Sequence, residues 1–276
     1  MSAYFERVTI FCFAASYGVA LALELWHLLA PRPILRLIGL GFGAAGLLAH
    51  TFFVLAQPLT LAMPLGSLLF LAWILAVFYL YGSVHHYRQA WGLFVLPLVL
   101  GLVVLAATAP RPEETQPTIW ADIAGNRFWG LVHGILLLLA GVGISVGFVA
   151  SVMYLVQIRR LRAKLPPGQG IKMMSLERLE SMNRKAILWA FPLLTAGLIV
   201  GVALQWHNGQ FLTGWESPKI LSSLSLWFVF AILLYLRYGA HARGRQTALL
   251  TLLAFAILIC ALLSPVHPFV HGGGGP

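Results

Sequence analysis

Eight stretches of the chain are long and almost free of charge: near 7–29, 35–57, 64–82, 91–109, 129–157, 185–204, 219–238 and 246–264. About 20 apolar residues in an α-helix cross roughly 30 Å of hydrocarbon, where every backbone N–H and C=O must be satisfied within the segment itself. The pattern predicts an all-α, polytopic membrane protein with eight transmembrane helices in one bundle. A chain that is 60% hydrophobic and 9% charged has no soluble alternative. The first run begins near Val8 without a basic leader or a small-residue cleavage site, so it reads as a retained helix. Connections are mostly short, no long soluble insert interrupts the runs, and no convincing internal repeat is visible. Residues 1–276 therefore read as a single transmembrane domain.

The net charge of +10 would suggest nucleic acid in a soluble protein. Here the basic residues fall in alternate loops. Arg32 and Arg36 follow run 1, and Arg88 follows run 3. Arg159, Arg160, Arg162, Lys164, Lys172, Arg178, Arg184 and Lys185 lie between runs 5 and 6, and Arg237, Arg243 and Arg245 surround the last turn. The opposite loops hold Glu113, Glu114, Asp122 and Glu216. The positive-inside rule then places both termini outside, and orientation accounts for the charge without a nucleic-acid partner. Between runs 5 and 6, Pro166-Pro-Gly-Gln-Gly170 is a breaker cluster. Leu176, Leu179 and Met182 after it have the spacing of a short amphipathic helix lying at the interface or docking a soluble partner.

Cys12 and Cys260 each sit alone inside an apolar run, so neither a redox pair, a haem-attachment motif nor a thiolate metal site is present. The histidines are more informative. His27, His85, His86 and His241 neighbour the basic loops and read as interfacial. His50, His133, His207, His267 and His271 gather in the outer half, although they are scattered in sequence. An ionisable residue inside a membrane segment is costly without a partner and marks a candidate site. His50 lies about 10 Å below the outer end of its helix, and His133 about one turn below the outer end of the fifth. Neutral imidazole ligates haem iron, and two histidines on opposite faces of the plane complete such a site.

Gly130, Gly134 and Gly141 fall within roughly 40° of one another around the fifth helix, on a flank beside His133. That flank offers a smooth groove to a flat ligand, or close approach to another helix. Gly39, Gly43 and Gly46 stand likewise before His50. The outer loop Gln205–Lys219 carries Trp206, Trp215 and His207, which serve either as an interfacial aromatic anchor or as a shelf under a macrocycle. Lys219 or Arg127 could pair with propionates.

The run Phe128-Trp-Gly-Leu-Val-His133 through Tyr154-Leu-Val-Gln resembles the cytochrome c assembly protein superfamily. So do Ser175-Leu-Glu-Arg-Leu-Glu-Ser-Met-Asn183, Phe191-Pro-Leu-Leu-Thr-Ala-Gly-Leu-Ile-Val-Gly201 and Gly214-Trp-Glu-Ser-Pro-Lys219. Its members include Ccs-type and Ccm-type haem handlers and the eight-helix HemX-like proteins. The resemblance is clearest over about 126–245, with His50-Thr and Gly92-Leu-Phe-Val-Leu-Pro97 extending it. It implies that His133 is the outer-face iron ligand, that His267 or His271 is the second, and that 205–219 is the tryptophan-rich haem segment. Trp206, Trp215, Glu216, Pro218 and Lys219 stand at its recognisable positions, and His50 matches an intramembrane haem contact.

This sequence departs from the cytochrome synthases in two places. Their dense WGxxWxWDPKE pattern is thinned to Gly214-Trp-Glu-Ser-Pro-Lys219, and Tyr235 stands where that branch has a histidine. The resemblance thus implies a HemX-like protein of a bacterial cytoplasmic membrane that binds haem b non-covalently near the periplasmic face. It would act in haem handling or cytochrome c maturation, beside other maturation proteins or an apocytochrome. The alternatives are a complete haem lyase, an enzyme, and a transporter or structural subunit without haem.

Overall fold

The computed structural model describes residues 9–30, 32–57, 59, 61, 63–85, 90–109, 128–163, 173–207, 218–240 and 244–264. Among them there are eight helices and no strand. They are α1 Ile10–Leu29, α2 Pro33–Ala56, α3 Pro64–His85, α4 Gly92–Thr108, α5 Phe128–Arg162, α6 Leu176–His207, α7 Pro218–Leu234 and α8 Gly244–Leu263. Seven are long and apolar enough to span a membrane, and the shorter α4, with 17 uncharged residues, spans about 25 Å. The predicted all-α, eight-helix architecture is what the described residues adopt.

Local chemistry sets the helix ends. Pro33, Pro64 and Pro218 each open a helix, where the missing N–H has no intrahelical acceptor to lose. Ser175 caps α6 by accepting from the Arg178 N–H at 3.3 Å, with Glu177 in the first turn to favour the helix dipole. Arg159, Arg160 and Arg162 close α5 at the dipole's negative end.

Two helices are longer than expected. α5 has 35 residues and runs on to Arg162, because nothing between Gln157 and Arg162 breaks a helix. The amphipathic segment near 175–185 and run 6 form one rod of 32 residues. Its Asn183 bonds to neighbouring helices instead of interrupting the turn. α7 ends in a wide π-turn, Tyr235–Gly239, in which the Ala240 N–H reaches the Tyr235 carbonyl at 3.1 Å.

Although the sequence shows no convincing repeat, the packing does. α1 packs on α2 and α4, and α3 on the same two. In the second half α5 packs on α6 and α8, and α7 on that pair. α3 touches α5 and α8, and α4 touches α5, which joins the halves. One interaction recurs in both. Thr51 Oγ1 donates to the Leu47 carbonyl (2.7 Å) and accepts from Trp73 Nε1 (2.9 Å). Thr195 Oγ1 donates to the Phe191 carbonyl (2.8 Å) and accepts from Trp227 Nε1 (3.0 Å). Interhelical bonds of this kind add specificity where apolar burial does not discriminate one helix pair from another.

Toward its basic end the second half is tied by Asn183, whose Nδ2 donates to the Gly147 carbonyl and to the hydroxyls of Ser151 and Thr251. That joins α6 to α5 and α8. Arg237 pairs with Glu180 at 3.6 Å beside the π-turn.

Candidate functional site

On α5, residues 130, 133, 134, 137, 141 and 144 share one face by helical spacing. Gly130, His133, Gly134, Leu137, Gly141 and Ile144 line a cavity of about 340 Å³. Leu61, Ser67 and Leu71 bound it before and along α3, with Leu194 of α6, Ser223 and Leu226 of α7, and Leu258 and Leu262 of α8. The cavity thus lies among the helices of the second half and against α3. Its wall is apolar apart from His133, Ser67 and Ser223, the make-up of a small-molecule site in which few polar groups set orientation.

His133 is half-buried, and its Nδ1 lies 2.7 Å from the carbonyl oxygen of Gly197. A carbonyl only accepts, so Nδ1–H is the donor, and in the neutral ring Nε2 carries the lone pair. Fixing a ligating imidazole's tautomer through its other nitrogen is the usual support for a metal-binding histidine. The ring also presses on α6: a Cβ at Gly201 would sit 2.7 Å from His133 Cε1. Gly197 and Gly201 form a small-xxx-small pair that brings α6 close enough for the bond.

The glycine flank divides in two. A Cβ at Gly130 would meet nothing within 4 Å, so the wall is open there. At Gly134 it would lie 3.1 Å from Leu61, and at Gly141 3.8 Å from Leu258 and Leu71. Packing occupies these two positions more than the expected smooth groove implies, and clear space beside the histidine is concentrated at Gly130.

His50 is placed elsewhere. It is fully buried between α1 and α2, stacked on Phe13 with centroids 4.2 Å apart and planes 1° from parallel. Tyr17 Oη is 3.5 Å from Nδ1, while Nε2 has no hydrogen-bond partner among the described residues. It does not line the cavity that holds His133. Trp206 stands near the end of α6, largely exposed and also outside the cavity lining. Lys219 falls in the first turn of α7, one turn before Ser223. Arg127, Trp215, His267 and His271 lie outside the described residues. Two of the interfacial histidines have local partners, His27 Nδ1 3.0 Å from the Arg32 carbonyl and His85 Nδ1 3.1 Å from the Tyr81 carbonyl, while His86 and His241 lie outside the described residues.

Among the described residues no three His, Cys, Asp or Glu converge to hold a bare metal ion. Haem asks less of the protein, because the macrocycle fills the equatorial positions and axial ligands complete the site. A tautomer-fixed histidine in an apolar cavity beside a glycine gap fits that requirement. Sequence reasoning missed Gly197 and Gly201 as the support of His133, although their spacing is the signal for close helix approach. It also missed Ser67 and Ser223, for which no sequence signal is evident.

The family model described as "Cytochrome C assembly protein" matches residues 61–271, a span that takes in α3 to α8 and the whole cavity lining. A "Cytochrome c biogenesis protein CcsA" of a Synechococcus species is 28% identical over 314 residues, covering 91% of this chain and 88% of the relative. Proteins of the same name from Guillardia theta and Gloeobacter violaceus are 28% and 25% identical. They cover 71% and 81% of this chain, and 70% and 81% of their own lengths. No solved structure matches.

Proposed function

The chain belongs to the cytochrome c assembly protein family, and on that footing we propose that it serves cytochrome c maturation as a multi-pass membrane protein binding haem b non-covalently. The observation that carries the haem reading is the pinned imidazole: His133 Nδ1–H on the Gly197 carbonyl, with the ring on the cavity wall beside Gly130. Curated relatives named for cytochrome c biogenesis support the maturation role.

In this reading His133, together with His267 or His271, would hold the haem iron. Lys219 or Arg127 would hold the propionates, and Trp206 and Trp215 would offer aromatic faces to the macrocycle. His50 stands apart from this site, packed against Phe13 and Tyr17. Haem supplies an apolar plane with an anionic edge and a redox-active iron. The protein's residues ligate, orient and exclude water. The whole chain, 1–276, acts as one transmembrane unit of a bacterial cytoplasmic membrane, HemX-like in character, with the site toward the periplasm. Haem, further maturation proteins and an apocytochrome are its partners.

An absorption spectrum of the purified protein tests this. The expected result is a Soret band that is lost in His133→Ala and returns in part with added imidazole. A colourless protein that cannot be reconstituted with hemin would overturn the reading.

A further inference from the structure

A second cleft, of about 420 Å³, opens toward the basic end, where the two halves meet. Tyr81 and Gly82 of α3, with Trp91 at the head of α4, form one wall. Gly143 of α5 and one face of α6 form the other.

The α6 face is graded along its length. Arg178, Ser181, Met182, Lys185 and Trp189 all line the cleft, at successive spacings of three, one, three and four residues that keep them on one helix face. Arg178 and Lys185 are exposed cations two turns apart, about 10 Å along the axis. Trp189 lies one turn deeper and is 70% exposed, and Phe78, Val146 and Ala186 add an apolar lining. From Arg178 to Trp189 the cleft descends about 16 Å.

The floor is kept low by glycine. A Cβ at Gly82 would run into the Trp91 ring, and one at Gly143 would sit 3.0 Å from Ala190 Cβ.

Positive charge at one end, an aromatic residue at the boundary and an apolar slot below match an amphiphile with an anionic head. Basic pockets between transmembrane helices recognise anionic lipid headgroups in this way. No histidine or cysteine is among the lining residues, so the cleft lacks the ligands that mark the His133 cavity. We propose that it holds one anionic glycerophospholipid, with the phosphate between Arg178 and Lys185 and an acyl chain along Trp189 toward Gly143. The lipid would fill the junction where α3 and α4 meet α5 and α6, and so hold the halves together.

Native mass spectrometry of the full chain, purified from membranes containing phosphatidylglycerol and phosphatidylethanolamine, tests this. Wild type should carry phosphatidylglycerol in preference. Arg178→Glu with Lys185→Glu should lower its occupancy about tenfold. Arg159→Glu with Arg162→Glu makes the same charge change at the same end outside the cleft, and should leave occupancy within about twofold. If the cleft pair does not purify, Arg178→Gln with Lys185→Gln gives the same comparison. Equal loss in both pairs, unchanged occupancy in the cleft pair, or loss of bound hemin with phosphatidylglycerol retained would each overturn the proposal.

Discussion

The two halves share a helix order and a packing pattern, yet they treat an intramembrane histidine in opposite ways. In the first half, aromatic rings fill the space around the imidazole: Phe13 stacks on His50, and Tyr17 closes its edge. In the second half, His133 turns one nitrogen to a backbone carbonyl and borders a cavity among leucines and glycines. The first arrangement is a packed core containing a histidine, and the second is a wall with room beside it. Burial alone does not separate a ligand from a core residue; the volume left beside the ring does.

The sharpest way to break this contrast is to remove each histidine. His133→Ala should lower bound haem at least tenfold, the scale of losing a metal contact. His50→Ala should leave most of the Soret absorbance and lower thermal stability instead. Equal haem loss in both variants would erase the distinction. Next, filling the open wall with Gly130→Leu should cut haem occupancy several-fold at unchanged melting temperature. Its counterpart Gly46→Ala places a methyl 2.9 Å from the Tyr17 ring. It should cost about 1–3 kcal/mol by overpacking while sparing the haem.

A smaller effect is expected at the Asn183 junction. Asn183→Ala removes bonds to Ser151, Thr251 and the Gly147 carbonyl. It should lower stability by about 1–2 kcal/mol, read as increased unfolding in a mild denaturing detergent. The smallest belongs to the interaction the halves share. Trp73→Phe and Trp227→Phe each remove one indole bond to a threonine, and each should cost about 0.6 kcal/mol. A large difference between them would show that the matched packing is not matched in energy.

Much of this was legible in the residues. Charge-free runs separated by basic clusters foretold eight helices, and 100° spacing placed Gly130, Gly134 and Gly141 beside His133. The limits were tertiary. Nothing in α2 alone says that Phe13, 37 positions earlier, stacks on His50, so two histidines alike in sequence separate only on packing. The bond from His133 to Gly197 spans 64 positions, and a backbone carbonyl leaves no mark in side-chain chemistry. The repeated packing also hides, because lipid-facing positions accept almost any apolar residue. Its faint trace is a proline followed nine residues later by tryptophan, at Pro64 and Trp73 and again at Pro218 and Trp227. The fifth helix runs past Gln157, and the amphipathic segment before Lys185 joins the sixth, because hydropathy ends at the membrane surface and hydrogen bonding does not.

The 2.7 Å between the His133 ring and the place of a missing side chain at Gly201 has an evolutionary reading. Sterically the two positions form one unit. Losing the imidazole would free position 201, and keeping the ring where it stands leaves room there only for glycine. Across descendants of this chain, the first methyl to be tolerated at 201 should therefore date the loss of the imidazole.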